Sequence, residues 1–116
     1  MKILVCGGRD FYNYKALCEA LARYADDTIL VHGDAKGADR LAGMYAMERG
    51  WQVKVYPADW NQHGKAAGPI RNRLMLSEEH PELIVAFPGG RGTANMIEQS
   101  TQAGVEVRKV ECSKQC

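Results

Sequence analysis

Residues 83–93 read Leu-Ile-Val-Ala-Phe-Pro-Gly-Gly-Arg-Gly-Thr, a run of apolar residues followed directly by a glycine-rich turn. A continuous apolar run of this length is typical of a strand in a parallel sheet, because helices cover both faces of such sheets and bury the strand from both sides. Glycine in the turn allows backbone to approach a ligand closely. The stretch therefore predicts a buried strand whose carboxyl end opens into a potential binding loop.

The rest of the chain alternates strand and helix patterns. Further β-type runs are predicted at residues 2–6, 28–31, 52–56 and 105–110. Apolar residues at helical spacing predict helices over residues 14–24 with Asn13 as N-cap, over 38–50, from Pro69 onwards with Ile70, Leu74 and Met75 facing inward, and over 94–103, whereas residues 57–68 are predicted as a polar loop.

This alternation predicts an α/β fold. Right-handed crossovers between parallel strands place helices on both faces of the sheet. We expect a single Rossmann-like three-layer domain over residues 1–116, with a five-stranded parallel sheet in the order 3-2-1-4-5. Ligands of such sheets bind outside the carboxyl ends of the strands, where the winding direction reverses, and here that point lies between strands 1 and 4.

Composition limits the classes of partner. The chain has 116 residues, of which 46% are hydrophobic and 25% charged, and its 15 basic and 14 acidic residues leave a net charge of +1. This balance gives no general attraction to nucleic acid or to an anionic membrane. Apolar runs are too short for a signal peptide or a membrane span, so the sequence predicts a cytoplasmic protein that binds a small molecule.

The four cysteines do not predict a metal or redox site. Cys6 falls in a predicted strand and Cys18 in a predicted helix, where both are expected to be small core residues. Cys112 and Cys116 lie in a polar tail without accompanying histidines, and we interpret them as tail thiols. We expect no metal and no cofactor.

Glycines cluster at the carboxyl ends of three predicted strands. In the expected strand order these are neighbours, so their turns would line one crevice: Gly7 and Gly8 after strand 1, Gly33 and Gly37 after strand 2, and Gly89, Gly90 and Gly92 after strand 4. Each turn leads into a helix, whose N-terminus offers N–H groups and a partial positive charge. A single tight turn could need glycine for its own geometry, but three converging turns favour a phosphate site.

Arginines and aspartates near these turns are candidate ligand contacts. Arg9, Arg71 and Arg91 are candidate phosphate clamps, whereas Arg73 is interpreted as a solvated surface charge. Asp34 could accept hydrogen bonds from a ribose or cap the second helix, and both interpretations stay open.

Three further side chains near the predicted turns have competing interpretations. His32 is interpreted as structural because it stands alone at a strand end. Trp60 and His63 could flank a base, although packing at the domain edge is the simpler interpretation.

Neither G-x-x-x-x-G-K-[ST] nor G-x-G-x-x-G occurs, which disfavours a P-loop NTPase and a standard dinucleotide dehydrogenase.

Four segments together resemble the SLOG superfamily, and within it the small YspA-like proteins often found in bacteria and phages. The segments are residues 7–11 (GGRDF), 32–39 (HGDAKGAD), 68–73 (GPIRNR) and 88–93 (PGGRGT). The resemblance covers essentially the whole chain. It implies a Rossmann-like fold that binds nucleotides or nucleotide-derived ligands. The superfamily includes LOG-type phosphoribohydrolases and DprA-type proteins that bind single-stranded DNA.

One departure from the LOG pattern concerns catalysis. LOG enzymes carry P-G-G-x-G-T-x-x-E with a catalytic Glu and R-K-x-x-M with a functional Arg. Arg71 and Met75 match the second motif, with Asn72 in place of Lys. Met96 stands at the position of the catalytic Glu, and Glu98 lies two residues further, about 200° away on a regular helix. The sequence thus predicts weak or absent hydrolase activity.

The leading hypothesis is a sensor or processor that binds a nucleotide or nucleotide-derived phosphate ligand. The ligand-binding residues would be Gly7, Gly8, Arg9, Gly33, Asp34, Gly37, Asp39, Pro88, Gly89, Gly90, Gly92 and Thr93. One alternative is a phosphoribohydrolase acting on nucleoside monophosphates, with Arg71 and Glu98 as catalytic residues. A second alternative is a nucleic-acid-binding protein, which the neutral charge balance disfavours. The sequence leaves homo-oligomer formation open.

Overall fold

The computed structural model describes residues 1–111 and contains a five-stranded parallel sheet. Its strand order is β3-β2-β1-β4-β5, which confirms the predicted order. The strands are β1 (Lys2–Cys6), β2 (Ile29–His32), β3 (Gln52–Val55), β4 (Leu83–Ala86) and β5 (Glu106–Lys109). Because β1 and β4 are hydrogen-bonded neighbours, the winding direction reverses between them, as expected.

The described helices are α1 (Tyr14–Leu21), α2 (Ala38–Arg49), α3 (Trp60–His63), α4 (Ala67–Glu79) and α5 (Arg91–Gln102), with a 3₁₀ turn at Gly64–Ala66. The predicted polar loop over 57–68 was therefore wrong in part. Asp59 caps α3, since its Oδ1 accepts from the backbone N–H of Gln62 at 3.1 Å, and α4 begins at Ala67 rather than at Pro69.

The N-terminus of α5 also differs from the prediction. The helix begins at Arg91 rather than at Ala94, because the N–H of Ala94 already donates to the carbonyl of Gly90 at 3.0 Å. Gly92 consequently lies in the first turn of the helix and not in the loop before it. This shift matters for the site, because it moves the free helix N–H groups into the glycine-rich turn.

Alternation along β1 divides the core between two helix layers. Ile3 and Val5 belong to the cluster that includes residues of α1 and α2, whereas Leu4 and Cys6 belong to the cluster that includes Met75 of α4. All four side chains of β4 are buried, as its apolar run predicts. The edge strands β3 and β5 are only partly buried.

Several local predictions can be compared with the structure. Asn13 caps α1 by accepting from the N–H of Ala16 at 3.0 Å, although α1 ends at Leu21. Cys6 is buried in β1 as predicted, and this burial raises the pKa of its thiol to about 12. Cys18 is half-buried on α1. Cys112 and Cys116 lie outside the described residues.

The predicted inward orientation of Leu74 was wrong, because this side chain is 42% exposed. The buried positions of α4 include Asn72, Met75 and Glu79. Within residues 1–111, no helix is both long and apolar enough to span a bilayer. Over the same residues, no group of three or more His, Cys, Asp or Glu side chains is placed to hold a metal ion.

Candidate functional site

A crevice of about 1660 Å³ lies at the carboxyl ends of β1, β2 and β4. Of the twelve residues predicted to bind ligand, eleven line it: Gly7, Gly8, Arg9, Gly33, Asp34, Asp39, Pro88, Gly89, Gly90, Gly92 and Thr93. Arg71, Asn72 and Met75 of α4 also line it. The three glycine-rich turns thus converge as the sequence predicts, and the first two turns of α4 complete the wall.

Backbone contacts hold the three turns together. The N–H of Gly8 donates to the carbonyl of Pro88 at 2.8 Å, and a Cβ added at Gly8 would lie 2.9 Å from that oxygen. The carbonyl of Gly8 in turn accepts from the N–H of Ala38 at 3.2 Å. Close packing between the loops therefore explains why residue 8 is a glycine, without any need for a ligand.

Gly37 is the predicted ligand residue that the structure separates from the crevice lining. Its φ is +91°, and a Cβ there would lie 2.2 Å from the carbonyl oxygen of Gly8. Gly37 also forms the N-cap of α2. Its role is to let the turn after β2 pack against the turn after β1, which shapes the crevice from behind.

Asp39 fixes the turn after β2 through a buried carboxylate. Its Oδ2 accepts from the backbone N–H groups of Gly33 at 3.1 Å and Ala35 at 3.3 Å. Burial raises the pKa of Asp39 to about 6, although the two backbone hydrogen bonds and the charge of Arg71 oppose the shift. The carboxylate lines the crevice, but its hydrogen bonds are directed at the loop.

Asp34 does not cap α2, so that interpretation was wrong. The residue adopts a φ of +58°, and its N–H donates to Nδ1 of His32 at 2.9 Å. Its Oδ1 pairs with Nε of Arg40 at 3.3 Å. His32 is buried and holds the turn through this bond, which agrees with its predicted structural role. Burial lowers the pKa of His32.

Arg71 joins α4 to the turn after β2. Its Nη1 donates to the carbonyl of Gly33, and its Nε donates to Oδ1 of Asn72 at 2.9 Å. Burial lowers the pKa of Arg71, although the nearby carboxylate of Asp39 opposes this shift. Arg73 is exposed and lies outside the crevice lining, as predicted.

Asn72 is a site residue whose role the sequence did not reveal. The side chain is 3% exposed, and its Nδ2 donates to the carbonyl of Gly92 at 3.3 Å and to Oδ1 of Asn95 at 3.0 Å. It thereby fastens α4 to the first turns of α5. Its position one residue after Arg71 was the signal available in the sequence.

The first turn of α5 opens onto the crevice without a packing reason for its glycines. Gly90 is the N-cap and offers no side-chain acceptor for the N–H groups that follow. A Cβ added at Gly90 or Gly92 would meet nothing within 4 Å. Neither position has a positive φ. A side chain at either position would therefore stand in open space, which contrasts with the packed glycine at position 8.

The charge of the crevice is more positive than that of the whole chain. Six basic side chains line it against three acidic ones, in a protein of net charge +1. The basic residues are Arg9, Lys36, Arg40, Lys65, Arg71 and Arg91, and the acidic ones are Asp10, Asp34 and Asp39. Sequence reasoning did not single out Lys36, Arg40 or Lys65 as site residues, although Lys36 lies within the segment 32–39 that carries the family resemblance. A positive concave surface favours anionic ligands.

The candidate catalytic acid lies elsewhere. Met96 is fully buried in the core cluster of α4, α5 and the sheet. Glu98 is exposed and is not among the residues that line the crevice. The structure therefore brings Arg71 into the crevice and leaves Glu98 outside it. His63 is likewise exposed and outside, whereas Trp60 lines the crevice.

The sheet order and the crevice at its reversal point define a Rossmann-like protein with an open crevice at the strand ends. Residues 1–63 match the family described as YspA, cpYpsA-related SLOG. The gene 61 protein of Mycobacterium phage D29 is 33% identical over 117 residues, which cover 91% of this chain and 93% of that protein. The chain belongs to the YspA, cpYpsA-related SLOG family.

A solved structure with the same fold is DNA processing protein A (DprA) from Streptococcus pneumoniae. The two superpose with a TM-score of 0.76 at 20% sequence identity, over 93% of this chain and 49% of the DprA chain. The chain thus spans about half the length of that protein. The likeness confirms the Rossmann-like fold.

Proposed function

We propose that the crevice binds a nucleotide or a nucleotide-derived phosphate ligand, with the phosphate at the first turn of α5. The observation that carries this proposal is the free space over Gly90 and Gly92, where neither packing nor a positive φ calls for glycine. Helix N-termini of this kind bind phosphate through backbone N–H groups and the helix dipole. Thr93, whose side chain lines the same turn, would add a hydroxyl donor.

The basic lining supports an anionic ligand. Arg91 belongs to the first turn of α5 and is exposed, and Arg9 follows the glycine pair that contacts Pro88. Guanidinium groups form charge-assisted, often bidentate hydrogen bonds with phosphate oxygens. We assign Arg9 and Arg91 as phosphate clamps. Arg71 is not assigned as a phosphate clamp, because its guanidinium already donates to the carbonyl of Gly33.

The sugar would lie against the turn after β2. The side chain of Asp34 is 39% exposed, and its carboxylate forms one ion pair with Arg40. The carboxylate therefore has acceptor capacity left for ribose hydroxyls. Asp39 is directed at backbone N–H groups and supports the turn. We therefore assign Asp34, and not Asp39 or Gly37, as the sugar contact.

The proposal is binding, in the manner of a sensor or carrier, without N-glycosidic hydrolysis. General acid–base help requires a carboxyl group within reach of the reacting bond. Met96 occupies the motif position and is buried, and Glu98 lies outside the crevice. DNA processing is the named role of DprA, but the chain covers 49% of that protein and has a net charge of +1, so we do not propose DNA as the ligand.

Calorimetric titration tests the proposal directly. At low salt we expect AMP, ribose 5-phosphate and inorganic phosphate to bind the wild type, and Gly92→Val to weaken each at least about tenfold, because the side chain fills the space over the helix N–H groups. The matched control is Ala94→Val, since Ala94 lies in the same helix but does not line the crevice. Equal binding by Gly92→Val and wild type, with both folded, would contradict the phosphate site.

A further inference from the structure

Trp60 is an exposed aromatic side chain at the mouth of the crevice. It has 49% of its surface exposed, while the other tryptophan, Trp51, is 5% exposed and packs against Tyr45. Trp60 lines the same crevice as Gly90 and Gly92. Leaving half of an indole in water forgoes a large burial energy, which makes such a side chain at a cleft an informative feature.

The indole has neighbours on two sides. The guanidinium carbon of Arg9 lies 5.7 Å from the ring centroid, within the range of a cation–π contact. On another side, Cη2 of Trp60 approaches the first turn of α4 so closely that a Cβ at Gly68 would lie 3.5 Å from it. The short helix α3, which carries Trp60, is in turn capped by Asp59. A ring fixed in advance loses little side-chain entropy when a ligand stacks on it.

Contacts connect the phosphate turn to Trp60. Gly8 donates to Pro88 at the phosphate turn, and the next residue, Arg9, reaches Trp60. A ligand whose phosphate lies at α5 would therefore share one crevice with the indole. Nucleobases stack on exposed aromatic rings beside basic side chains, because every base has a flat π-face.

We propose that Trp60 is the base-stacking residue of the crevice, so that the ligand carries a nucleobase and is more than a sugar phosphate. This inference rests on the proposed phosphate site and adds the chemical class of the ligand. A second cavity, of about 470 Å³, also borders the phosphate turn, since its lining includes Gly90 and Thr93 as well as Ala86, Ile97 and Val110. No residue of the turns after β1 and β2 lines it, so it is poorly placed for a base joined to a sugar at Asp34.

Another aromatic residue, Tyr12, also lines the crevice but is 74% exposed. We assign the stacking to Trp60 because the contacts with Arg9 and the first turn of α4 fix its ring. A Tyr12→Ala variant separates the two assignments. We expect it to keep the preference for a base, whereas loss of that preference in Tyr12→Ala with retention in Trp60→Ala would overturn the assignment.

The experiment compares AMP with ribose 5-phosphate in wild type, Trp60→Ala and Trp60→Phe. We expect AMP to bind wild type about 5- to 100-fold more tightly than ribose 5-phosphate, the range that base–aromatic stacking supplies. This preference is a ratio of two affinities, and it should collapse in Trp60→Ala and largely survive in Trp60→Phe, because any loss that reaches the phosphate through Arg9 lowers both affinities alike. Met44→Ala, an exposed residue outside the crevice lining, is the control for nonspecific effects.

Tryptophan fluorescence adds an independent measurement. AMP and adenosine should quench the exposed Trp60 in wild type and leave the buried Trp51 signal of Trp60→Phe unchanged. Quenching by adenosine without binding of ribose 5-phosphate would refute the phosphate site and keep the stacking residue. Binding of ribose 5-phosphate with no gain from the base, or a base preference that persists in Trp60→Ala, would overturn the role of Trp60 and leave the phosphate site standing.

Discussion

The crevice and the C-terminal end of α4 each contain a buried carboxylate, and the pKa values of the two are shifted in opposite directions. In the crevice, Asp39 accepts from backbone N–H groups, and burial raises its pKa to about 6. At the far end, Glu79 accepts from the hydroxyl of Tyr56 at 2.5 Å and pairs with Nζ of Lys2 at 3.0 Å and of Lys54 at 3.4 Å. These partners lower the pKa of Glu79.

The difference separates a binding surface from a structural one. In the ion cluster of Lys2, Lys54, Tyr56 and Glu79, the carboxylate has two ammonium groups and a hydroxyl as partners, and the cluster joins the start of β1 to the end of α4. The crevice instead keeps an excess of basic side chains and an open helix N-terminus. A cleft with a net positive lining and helix N–H donors that have no intrahelical partner is typical of sites that bind a ligand.

The largest expected loss of stability comes from placing a carboxylate in the core, where apolar side chains surround it. Met96→Glu restores the residue of the hydrolase motif but inserts it into a fully buried apolar cluster. We expect a loss of about 3–5 kcal/mol in the free energy of unfolding, because the charge would be buried without partners. Chemical denaturation measures this loss, with Met96→Leu, expected to cost less than about 1.5 kcal/mol, as control.

The same variant tests the catalytic interpretation. We expect no release of free base from AMP by wild type or Met96→Glu. A Met96→Glu protein as stable as wild type that releases base would show that this position faces a ligand, and would promote the phosphoribohydrolase alternative.

The next effect concerns pH and distinguishes the two carboxylates. A pKa of about 6 for Asp39, against an ordinary value of 3.8, corresponds to about 3 kcal/mol. Because the folded-state pKa is raised, the stability linked to the protonated form is present at low pH and is lost as pH rises through about 6. We therefore expect wild type to gain up to about 3 kcal/mol relative to Asp39→Asn between pH 7 and 4.

Denaturation of both proteins across this pH range measures the gain. An NMR titration of the Asp39 carboxyl in the wild type provides the check that is independent of the variant. A difference in stability that does not change with pH, together with titration near the ordinary value, would contradict the desolvated carboxylate.

The smallest effect is expected in the ion cluster. Glu79→Gln should destabilise the protein by about 1.5 kcal/mol at neutral pH, since hydrogen bonds to a charged acceptor are lost. The pKa of Glu79 is lowered, so its contribution is present above the unfolded-state value and disappears as the pH falls through the folded-state pKa. Glu78→Gln, an exposed neighbour that also accepts from Tyr56, is the control. No difference between the two variants at pH 7 would argue against the cluster.

The strand order and most of the crevice followed from the sequence, because apolar strands and glycine turns alternate clearly. The prediction of which side chains of α4 face the core was wrong. Leu74 was expected to face inward, but Asn72 and Glu79 occupy buried positions of that helix. Hydropathy alone assigns such polar residues to the surface, since their burial depends on hydrogen-bond partners from distant parts of the chain.

The start of α5 was misplaced for a related reason. Glycine disfavours helix interiors, so Gly92 was assigned to the loop. The first helical turn tolerates it, and a Cβ at Gly92 would meet nothing within 4 Å, so packing does not account for this glycine. Lys36 and Lys65 were missed because a surface lysine has no sequence pattern that tells whether the fold turns it towards a cleft.

The central place of β1 has a consequence for synthesis of the chain. β1 pairs with β2 soon after it, but its other edge awaits Leu83–Ala86 of β4. The crevice is thus walled by residues 7–9 and 88–93, which leave the ribosome far apart in time. A ligand bound between these turns as proposed could stabilise a nascent chain only after residues 88–93 have emerged. Such a ligand would join β1 to β4 late in synthesis, and protection from proteolysis should then appear in both strands together.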